Sequence, residues 1–161
     1  MAKEEIPKRS LSFDNFQSML DEANRLNENG YTSHGNWTLG QSCGHVAEWL
    51  RYPMDGFPTP PIFLRPIFWA IKVTMAKRMA KKILNEGFKG GVPTAPESVP
   101  KAEELSDAAG IAQLQDVVNR AEQFQGQLLP SPLFGDMDRE TWIKVGLLHA
   151  AHHLGYLEPK A

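Results

Sequence analysis

Apolar residues recur at the spacing of an α-helix in four long stretches of the chain, and this pattern predicts four core helices. The predicted helices cover residues 12–29, 38–52, 107–127 and 139–156. No stretch shows a convincing pair of strands. The pattern therefore indicates an all-α protein, a helical bundle with one long connection between its second and third core helices.

Residues that favour helix ends stand at the borders of these stretches. Ser12 or Asp14 can cap the first helix, because a short polar side chain accepts a hydrogen bond from a free backbone N–H there. Thr38 and Asp138 are expected to cap the second and the last helix in the same way. Pro53 lacks an N–H, so the second helix is predicted to end just before it.

The connection between the second and third core helices has a pattern of its own. Residues 53–61 contain four prolines and one glycine, which predicts a rigid turn. Residues 62–84 return to helical spacing and predict an extra helix. Residues 85–106 are rich in Gly and Pro and are expected to form an irregular crossing loop. Residues 60–106 are therefore predicted to be an insertion and crossing loop in the bundle.

Length and composition fit one globular domain that spans residues 1–161, with residues 1–11 as a flexible leader. The net charge of −2 gives no basic excess, so no nucleic-acid partner is expected. The single cysteine, Cys43, excludes an internal disulfide and fits a reducing compartment. The N-terminus lacks the apolar core of a secretion signal, and no apolar run approaches the about 20 residues that span a bilayer. The expected location is the cytoplasm.

The extra helix is apolar in its first half and basic in its second. From residue 60 to 91 there are seven basic residues against one acid, so this stretch carries +6 and the rest of the chain −8. The helix can cover the open end of the bundle, form a homodimer contact, or lie on an anionic membrane surface. Packing within the protein or in a dimer is the simplest of these interpretations. An anionic substrate near the lysines is a further alternative.

The last predicted helix carries three of the five histidines within a stretch of five residues: His149, His152 and His153. His149 and His153 are one turn apart and fall about 40° apart on the helix surface, on its apolar side. Two imidazoles one turn apart can bind one transition-metal ion. His45 is the only histidine on another predicted helix, so these three residues are predicted to form a metal site. His152, at i+3 from His149, is an alternative to His153 as a ligand.

For the pair on the last helix alone, two core histidines hydrogen-bonded to backbone or carboxylate groups are an equal alternative. The presence of His45 on a second helix favours the metal site. Three imidazoles leave one position of a tetrahedral ion open, which is the arrangement of a catalytic rather than a structural site. Such an ion can activate a water molecule or hold a thiolate.

Other side chains near the histidines are candidates for further roles. Glu48 follows His45 by one turn and can act as a general base or support a ligand, although a surface position is the simpler interpretation. Three aromatic side chains can line the mouth of a pocket, although ordinary core positions are more common at this spacing: Trp49, Tyr52 and Tyr156. Cys43 points away from His45 and is expected to be a small buried side chain. His34 lies in a loop and is expected on the surface.

The histidines stand in two short motifs, Trp37-Thr-Leu-Gly-Gln41 leading into His45 and His149-Ala-Ala-His-His153-Leu-Gly155. On these motifs the chain resembles the DinB-like (DinB/YfiT) superfamily of metal-dependent enzymes, as an uncharacterised branch with an inserted helix. The resemblance implies a four-helix bundle of up-down-down-up topology, with one metal-binding histidine on the second helix and two on the last. The superfamily commonly has a basic residue, Gly and Gln after the final ligand, whereas Leu154, Gly155 and Tyr156 follow His153 here.

The resemblance also implies a divalent zinc, nickel or iron ion with positions open to water or substrate. Characterised members of the superfamily include hydrolases, isomerases and transferases that use a low-molecular-weight thiol. The sequence therefore predicts a metal-dependent enzyme of hydrolase or thiol-transferase type that acts on a small molecule. The alternative is a non-enzymatic bundle that binds a partner or an anionic membrane surface through residues 62–84.

Overall fold

A computed structural model describes residues 6–59, 61–88, 105–132 and 134–160 of the chain. These ranges contain six α-helices: α1 (Phe16–Asn29), α2 (Leu39–Asp55), α3 (Arg65–Thr74), α4 (Ala76–Glu86), α5 (Asp107–Gln123) and α6 (Arg139–Leu154). They also contain a short 3-10 turn, Ile62–Leu64, and two strands, β1 (Tyr31–Ser33) and β2 (Leu157–Pro159). The predicted all-α fold class is confirmed.

The four long core helices α1, α2, α5 and α6 enclose the hydrophobic core. Helices α1 and α2 each pack against the other three core helices, and α2 has the more extensive contacts, with α5 and α6. The core side chains that are almost fully buried include Met19, Leu20, Leu26, Leu39, Leu50, Leu114, Val118 and Leu154. The up-down-down-up order of helix directions stays a prediction from the resemblance.

Helices α2 and α5 approach closely where a glycine of one faces a glycine of the other. A Cβ atom added to Gly110 would lie 2.3 Å from the backbone oxygen of Gly40, so only glycine fits there. The carboxylate of Asp107 accepts a hydrogen bond from the Gly40 N–H at 2.8 Å. This crossing fixes the first turn of α2, one turn before the helix reaches His45.

The predicted caps are confirmed for two helices and wrong for one. The Thr38 side chain accepts from the Gln41 N–H at 3.1 Å, and the Asp138 carboxylate accepts from the Thr141 N–H at 2.7 Å. Helix α1 begins later than predicted. Its cap is Asn15, whose side chain accepts from the Ser18 N–H at 2.8 Å, and neither Ser12 nor Asp14 has this role.

Pro53 does not end α2, which continues to Asp55. The proline stands in the last turn of the helix, where a missing N–H removes only one of the final hydrogen bonds. Its ring is almost fully buried, and its carbonyl oxygen accepts from the Leu129 N–H at 2.8 Å. The helix ends at Gly56, whose φ of 118° favours glycine. Packing therefore outweighs the local helix-breaking tendency.

The expectation of no strand pairing is wrong. Strands β1 and β2 pair in antiparallel fashion, with Tyr31 opposite Pro159 and Ser33 opposite Leu157. Each strand has three residues, too few for an alternating pattern to be visible in the sequence. The small sheet ties the segment before α2 to the segment after α6. It therefore brings the ends of the two histidine-bearing helices together.

The extra helix, predicted over residues 62–84, is two helices, α3 and α4, that meet at Met75. The hydroxyl of Thr74 donates to the carbonyl oxygen of Ala70 at 2.6 Å, and such a bond competes with the helical backbone bond. Met75 has φ −120° and ψ −19°, outside the helical range. Helix α4 packs against α6, whereas Ile67, Trp69 and Val73 of α3 are exposed.

The remaining predictions concern the leader and the crossing loop. Residues 1–5, residue 60 and residues 89–104 lie outside the described residues. Within the predicted leader, the Arg9 N–H donates to the Gly155 carbonyl at 2.8 Å, and its guanidinium pairs with Glu22 at 2.7 Å. This part of the leader is therefore held against α1 and the end of α6.

Candidate metal centre

The structure brings His45 of α2 together with His149 and His153 of α6. Helices α2 and α6 pack closely because Leu50 fills the space that a side chain at Gly146 would need; an added Cβ would lie 2.5 Å from Leu50 Cδ2. Gly146 precedes His149 by one turn of the helix. The close packing therefore places the histidine face of α6 directly against α2.

The three imidazoles converge through nitrogen atoms. The Nε2 atom of His149 lies 3.2 Å from Nε2 of His45 and 3.0 Å from Nε2 of His153. Two nitrogens that are each about 2.0–2.1 Å from one zinc ion stand about 2.9 Å apart at a right angle and about 3.3 Å apart at the tetrahedral angle. Both observed distances fall in this interval. The ligand atoms of all three histidines lie within 4.8 Å of one another, so the two short distances, both to His149 Nε2, carry the fit.

The arrangement fits a metal ion better than it fits mutual hydrogen bonds. The Nε2 atom of His149 has either one hydrogen or one lone pair, so it can form a normal hydrogen bond with only one of its two imidazole neighbours. A single cation between the rings accepts a lone pair from every Nε2. In that case each ring carries its hydrogen on Nδ1. For His149 this hydrogen has no acceptor among the described residues although Nδ1 is buried, which is a cost of metal binding at this ring.

Burial keeps the imidazoles of His149 and His153 in the neutral form that binds metals. His45 and His149 are buried, and His153 is half-buried. Burial lowers the pKa of His149 well below its ordinary value, and the neighbouring His153 adds to this effect. Burial and the nearby His45 lower the pKa of His153 to about 2. The ligand nitrogens of these two histidines therefore do not need to lose protons at neutral pH before a cation binds.

Aromatic rings surround the cluster. Trp37 stacks on His153 with ring centroids 4.8 Å apart and planes 10° from parallel, and it meets His45 edge-on at 4.8 Å. Trp49 lies 4.5 Å from His149, and Phe88 lies 5.0 Å from the same imidazole. These rings exclude water from most of the site. A low-polarity surrounding strengthens the interaction of the imidazoles with a cation.

His152 does not join the group of three. Its Nδ1 atom lies 3.0 Å from the Phe88 carbonyl oxygen and 2.9 Å from Lys8 Nζ. A carbonyl only accepts, so the first contact needs a hydrogen on Nδ1, whereas donation by the Lys8 ammonium needs a lone pair there. Only one of these two hydrogen bonds exists at a time. Burial and the charge of Lys8 lower the pKa of His152 to about 4.

The other candidate side chains lie around this cluster. Glu48 pairs with Arg51 at 2.7 Å and is exposed over 39% of its side chain, on the solvent side of α2. His34 lies after β1 and its Nε2 is 2.8 Å from a carboxylate oxygen of Glu158. Cys43 is fully buried, and burial raises the pKa of its thiol to about 12. A neutral buried thiol is neither a nucleophile nor a ligand.

A cavity of about 200 Å³ opens beside the cluster. Trp37, His152, His153 and Tyr156 line it, together with Asn36, Ser42 and apolar residues. The cavity thus reaches one of the three converging imidazoles from the solvent side. Its volume suits a small molecule, because pockets for drug-sized ligands start at about 300 Å³.

Sequence reasoning missed three contributors to the site. Trp37 entered the argument only as part of a motif, although its place next to the cap of α2 is a usable signal. Phe88 follows Gly87, whose φ of 71° ends α4 and turns the chain towards His149. Lys8 belongs to the predicted leader, and only the fold brings it to His152. Contacts between residues so far apart in the sequence have no periodic signature.

The part of the chain that the structure describes contains no helix long and apolar enough to cross a membrane. A search of curated proteins and a search of solved structures each found no significant match. The sequence model of one family, described as "protein of unknown function (DUF1569)", matches residues 5–160. Because this match covers nearly the whole sequence, the chain belongs to the DUF1569 family.

Proposed function

We propose that the protein is a metal-dependent enzyme in which His45, His149 and His153 hold one divalent ion. The convergence of their nitrogens is the observation that carries the proposal, with two Nε2–Nε2 distances of 3.0 and 3.2 Å. Imidazole ligands suit zinc, nickel and iron, and the donor set alone does not select among them. Three ligands leave coordination positions for water or substrate.

The surroundings of the three histidines favour a catalytic ion over a purely structural one. A structural zinc site is closed by four protein ligands, whereas three histidines form the described cluster. The cavity beside His153 gives a small molecule a route to the cluster. A divalent ion there supplies Lewis acidity, which activates a water molecule or a thiolate at neutral pH. We therefore propose a hydrolase or a transferase that uses a low-molecular-weight thiol.

The protein's own residues have defined roles in this proposal. Trp37 holds the ring of His153 by stacking, and Trp49 and Phe88 shield His149 from water. His152 and Tyr156 line the cavity, where they can contact polar groups of a substrate, and Lys8 Nζ lies 5.5 Å from the centre of the Tyr156 ring. Glu48 receives no role as a base, because its carboxylate is paired with Arg51 on the solvent side.

The resemblance to the DinB-like superfamily supports the same assignment. Its motifs place one ligand on the second core helix and two on the last, and α2 and α6 carry the three histidines in this order. We propose that the DUF1569 fold of this chain is a DinB-like bundle with α3 and α4 inserted. Fold likeness does not determine the reaction, so the substrate has to be found by experiment.

Elemental analysis of untagged protein, purified without added metal, tests the proposal. We expect about one transition-metal ion per chain, or uptake of one equivalent of zinc or nickel on titration. The His149→Ala variant is expected to lose this binding, because it removes the imidazole that lies between the other two.

His34→Ala is the matched control, since His34 is also a histidine but pairs with Glu158 away from the cluster. It is expected to keep one equivalent of metal. A wild-type protein that neither contains nor takes up an ion would overturn the proposal. It would favour the alternative of a non-enzymatic bundle with structural histidines. Metal binding that survives in His149→Ala would equally contradict the assigned ligands.

A further inference from the structure

The α3–α4 segment, residues 62–86, has a surface that the proposed metal centre does not explain. Six large apolar side chains between residues 62 and 75 are at least half exposed: Ile62, Phe63, Ile67, Trp69, Val73 and Met75. The exposed fraction reaches 76% for Ile62 and 65% for Trp69. Isolated exposed apolar residues are ordinary, but so many in one short segment mark an interaction surface.

The second helix of the segment presents a basic face beside these apolar side chains. Lys77, Arg78, Lys81 and Lys82 are all exposed and fall within an arc of about 140° on α4. The half-buried residues of α4, among them Ile83 and Leu84, occupy the other side, where the helix packs against α6. The basic arc is therefore directed away from the bundle. It lies next to α3, which contacts α4.

The charge of the segment is opposite to that of the rest of the chain. Residues 62–86 contain six basic residues and one acid, a net charge of +5, whereas the remainder carries −7 of the total −2. A negatively charged surface would therefore attract this segment and repel the rest of the molecule. The charge distribution therefore favours an anionic partner, with the α3–α4 segment facing it.

A second copy of this chain is a poor binding partner for the segment. A two-fold symmetric contact places the same patch of both protomers face to face, so the basic arcs would repel each other. A nucleic acid would satisfy the basic arc but would leave the aliphatic side chains of α3 in water. The headgroup region of an anionic bilayer accepts both, because aliphatic and tryptophan side chains enter it while Lys and Arg contact the lipid headgroups.

We propose that the α3–α4 segment docks the protein on an anionic lipid surface. The exposed apolar side chains of α3, with Trp69 among them, enter the headgroup region. The basic arc of α4 binds the anionic headgroups. The contact is peripheral, since α3 and α4 have 10 and 11 residues and neither spans a bilayer.

Sedimentation with vesicles tests this proposal directly. The full-length protein is mixed with phosphatidylcholine vesicles that contain or lack phosphatidylglycerol, at low ionic strength and at about 0.5 M salt. We expect binding only to the anionic vesicles, weakened by salt. Lys77→Glu combined with Lys81→Glu is expected to lower the partition coefficient at least about tenfold.

Lys144→Glu combined with Lys160→Glu is the matched control. It makes the same change in net charge at two exposed lysines outside the segment and is expected to bind nearly as well as the wild type. Both double variants are first shown to unfold at the wild-type temperature. An equal loss in the two double variants would overturn the proposal, because net charge rather than the basic arc would then control binding.

Tryptophan fluorescence gives a second, independent readout. Trp69 is 65% exposed, so its entry into the headgroup region should shift its emission to the blue. Trp69→Phe should remove this shift but retain binding, whereas Trp69→Ser should also weaken binding. Absence of any binding to anionic vesicles at low salt would refute the proposal. Binding to duplex DNA without binding to vesicles would refute it too, in favour of a nucleic-acid surface.

Discussion

The histidine cluster and the α3–α4 segment depart from ordinary globular packing in opposite ways. In the cluster, polar nitrogens of His45 and His149 are buried among aromatic rings. In the α3–α4 segment, large apolar side chains such as Trp69 stand in water. Buried polar groups and exposed apolar patches are the two observations that folding alone does not explain. We propose a binding role for each: a cation at the first and an external surface at the second.

The two regions also differ in how strongly the fold holds them. Helices α2 and α6 lie in the core and pack against several other helices, whereas α3 contacts mainly α4 and the preceding turn. Phe88 links the two regions, because it lies two residues after α4 and its ring contacts His149. The comparison predicts that a substitution in the core is costly for folding, while the same substitution in α3 is not.

The largest expected effect comes from the same substitution made in both regions. Trp142 in α6 is 2% exposed and Trp69 in α3 is 65% exposed. Trp142→Ala is expected to lower the free energy of unfolding by about 3–5 kcal/mol, because it leaves a cavity in the core. Trp69→Ala, the matched control, should change it by less than about 0.5 kcal/mol. Urea unfolding measures both, and similar costs would show that α3 is packed in solution.

The second prediction concerns pH and the metal-free protein. The pKa of His153 is about 2 in the folded state, against an ordinary value of 6.5. Between these values the unfolded chain binds a proton that the folded chain does not, so stability is complete above pH 6.5 and declines as the pH falls. At pH 5 this histidine alone should lower the free energy of unfolding by about 2 kcal/mol relative to neutral pH.

Unfolding by urea in the presence of a chelator, at pH 7.5 and pH 5, measures this effect. Carboxyl groups with lowered pKa values, such as Glu22, contribute mainly at still lower pH, so the chosen interval isolates the histidines. His153→Gln should show a weaker dependence on pH, since it removes one of the groups that titrate. A dependence as steep as that of the wild type would contradict the burial of this imidazole.

The smallest expected effect concerns the contribution of the aromatic rings to metal binding. Trp37 stacks on His153 and so limits its rotation. Trp37→Ala is expected to weaken metal binding about tenfold, the lower end of the effect of groups that orient ligands. Trp37→Phe retains a stacking ring and should bind within about threefold of the wild type. Competition with a chelator of known affinity measures both, and equal binding by Trp37→Ala would show that the stack has no such role.

The sequence was sufficient for the parts of the molecule that obey helical periodicity. The four core helices follow from apolar spacing and from caps such as Thr38. The grouping of His45 with His149 follows from His45 being the only histidine on another predicted helix. Short segments that pair across the chain could not be predicted, because three residues such as Tyr31–Ser33 show no alternation and their partners lie more than 120 residues away.

Local preferences misled the prediction where tertiary contacts outweigh them. Pro53 remains inside α2 because its ring is buried in the core, and sequence alone does not show that burial. The division at Met75 coincides with a side-chain hydrogen bond from Thr74, which helical periodicity does not reveal. The exposure of α3 is a different case. Its apolar residues favour packing within the protein or in a dimer; within the single chain side chains such as Trp69 are exposed, and a dimer contact stays a prediction.

The central claim is that three imidazoles bind one divalent ion, and X-ray absorption spectroscopy tests it most directly. The spectrum at the metal edge of protein loaded with one equivalent of zinc counts the imidazole nitrogens around the ion. Our account predicts three such nitrogens at about 2.0–2.1 Å, and two in the His153→Ala variant. A shell without imidazole nitrogens, or a shell that His153→Ala leaves unchanged, would contradict it.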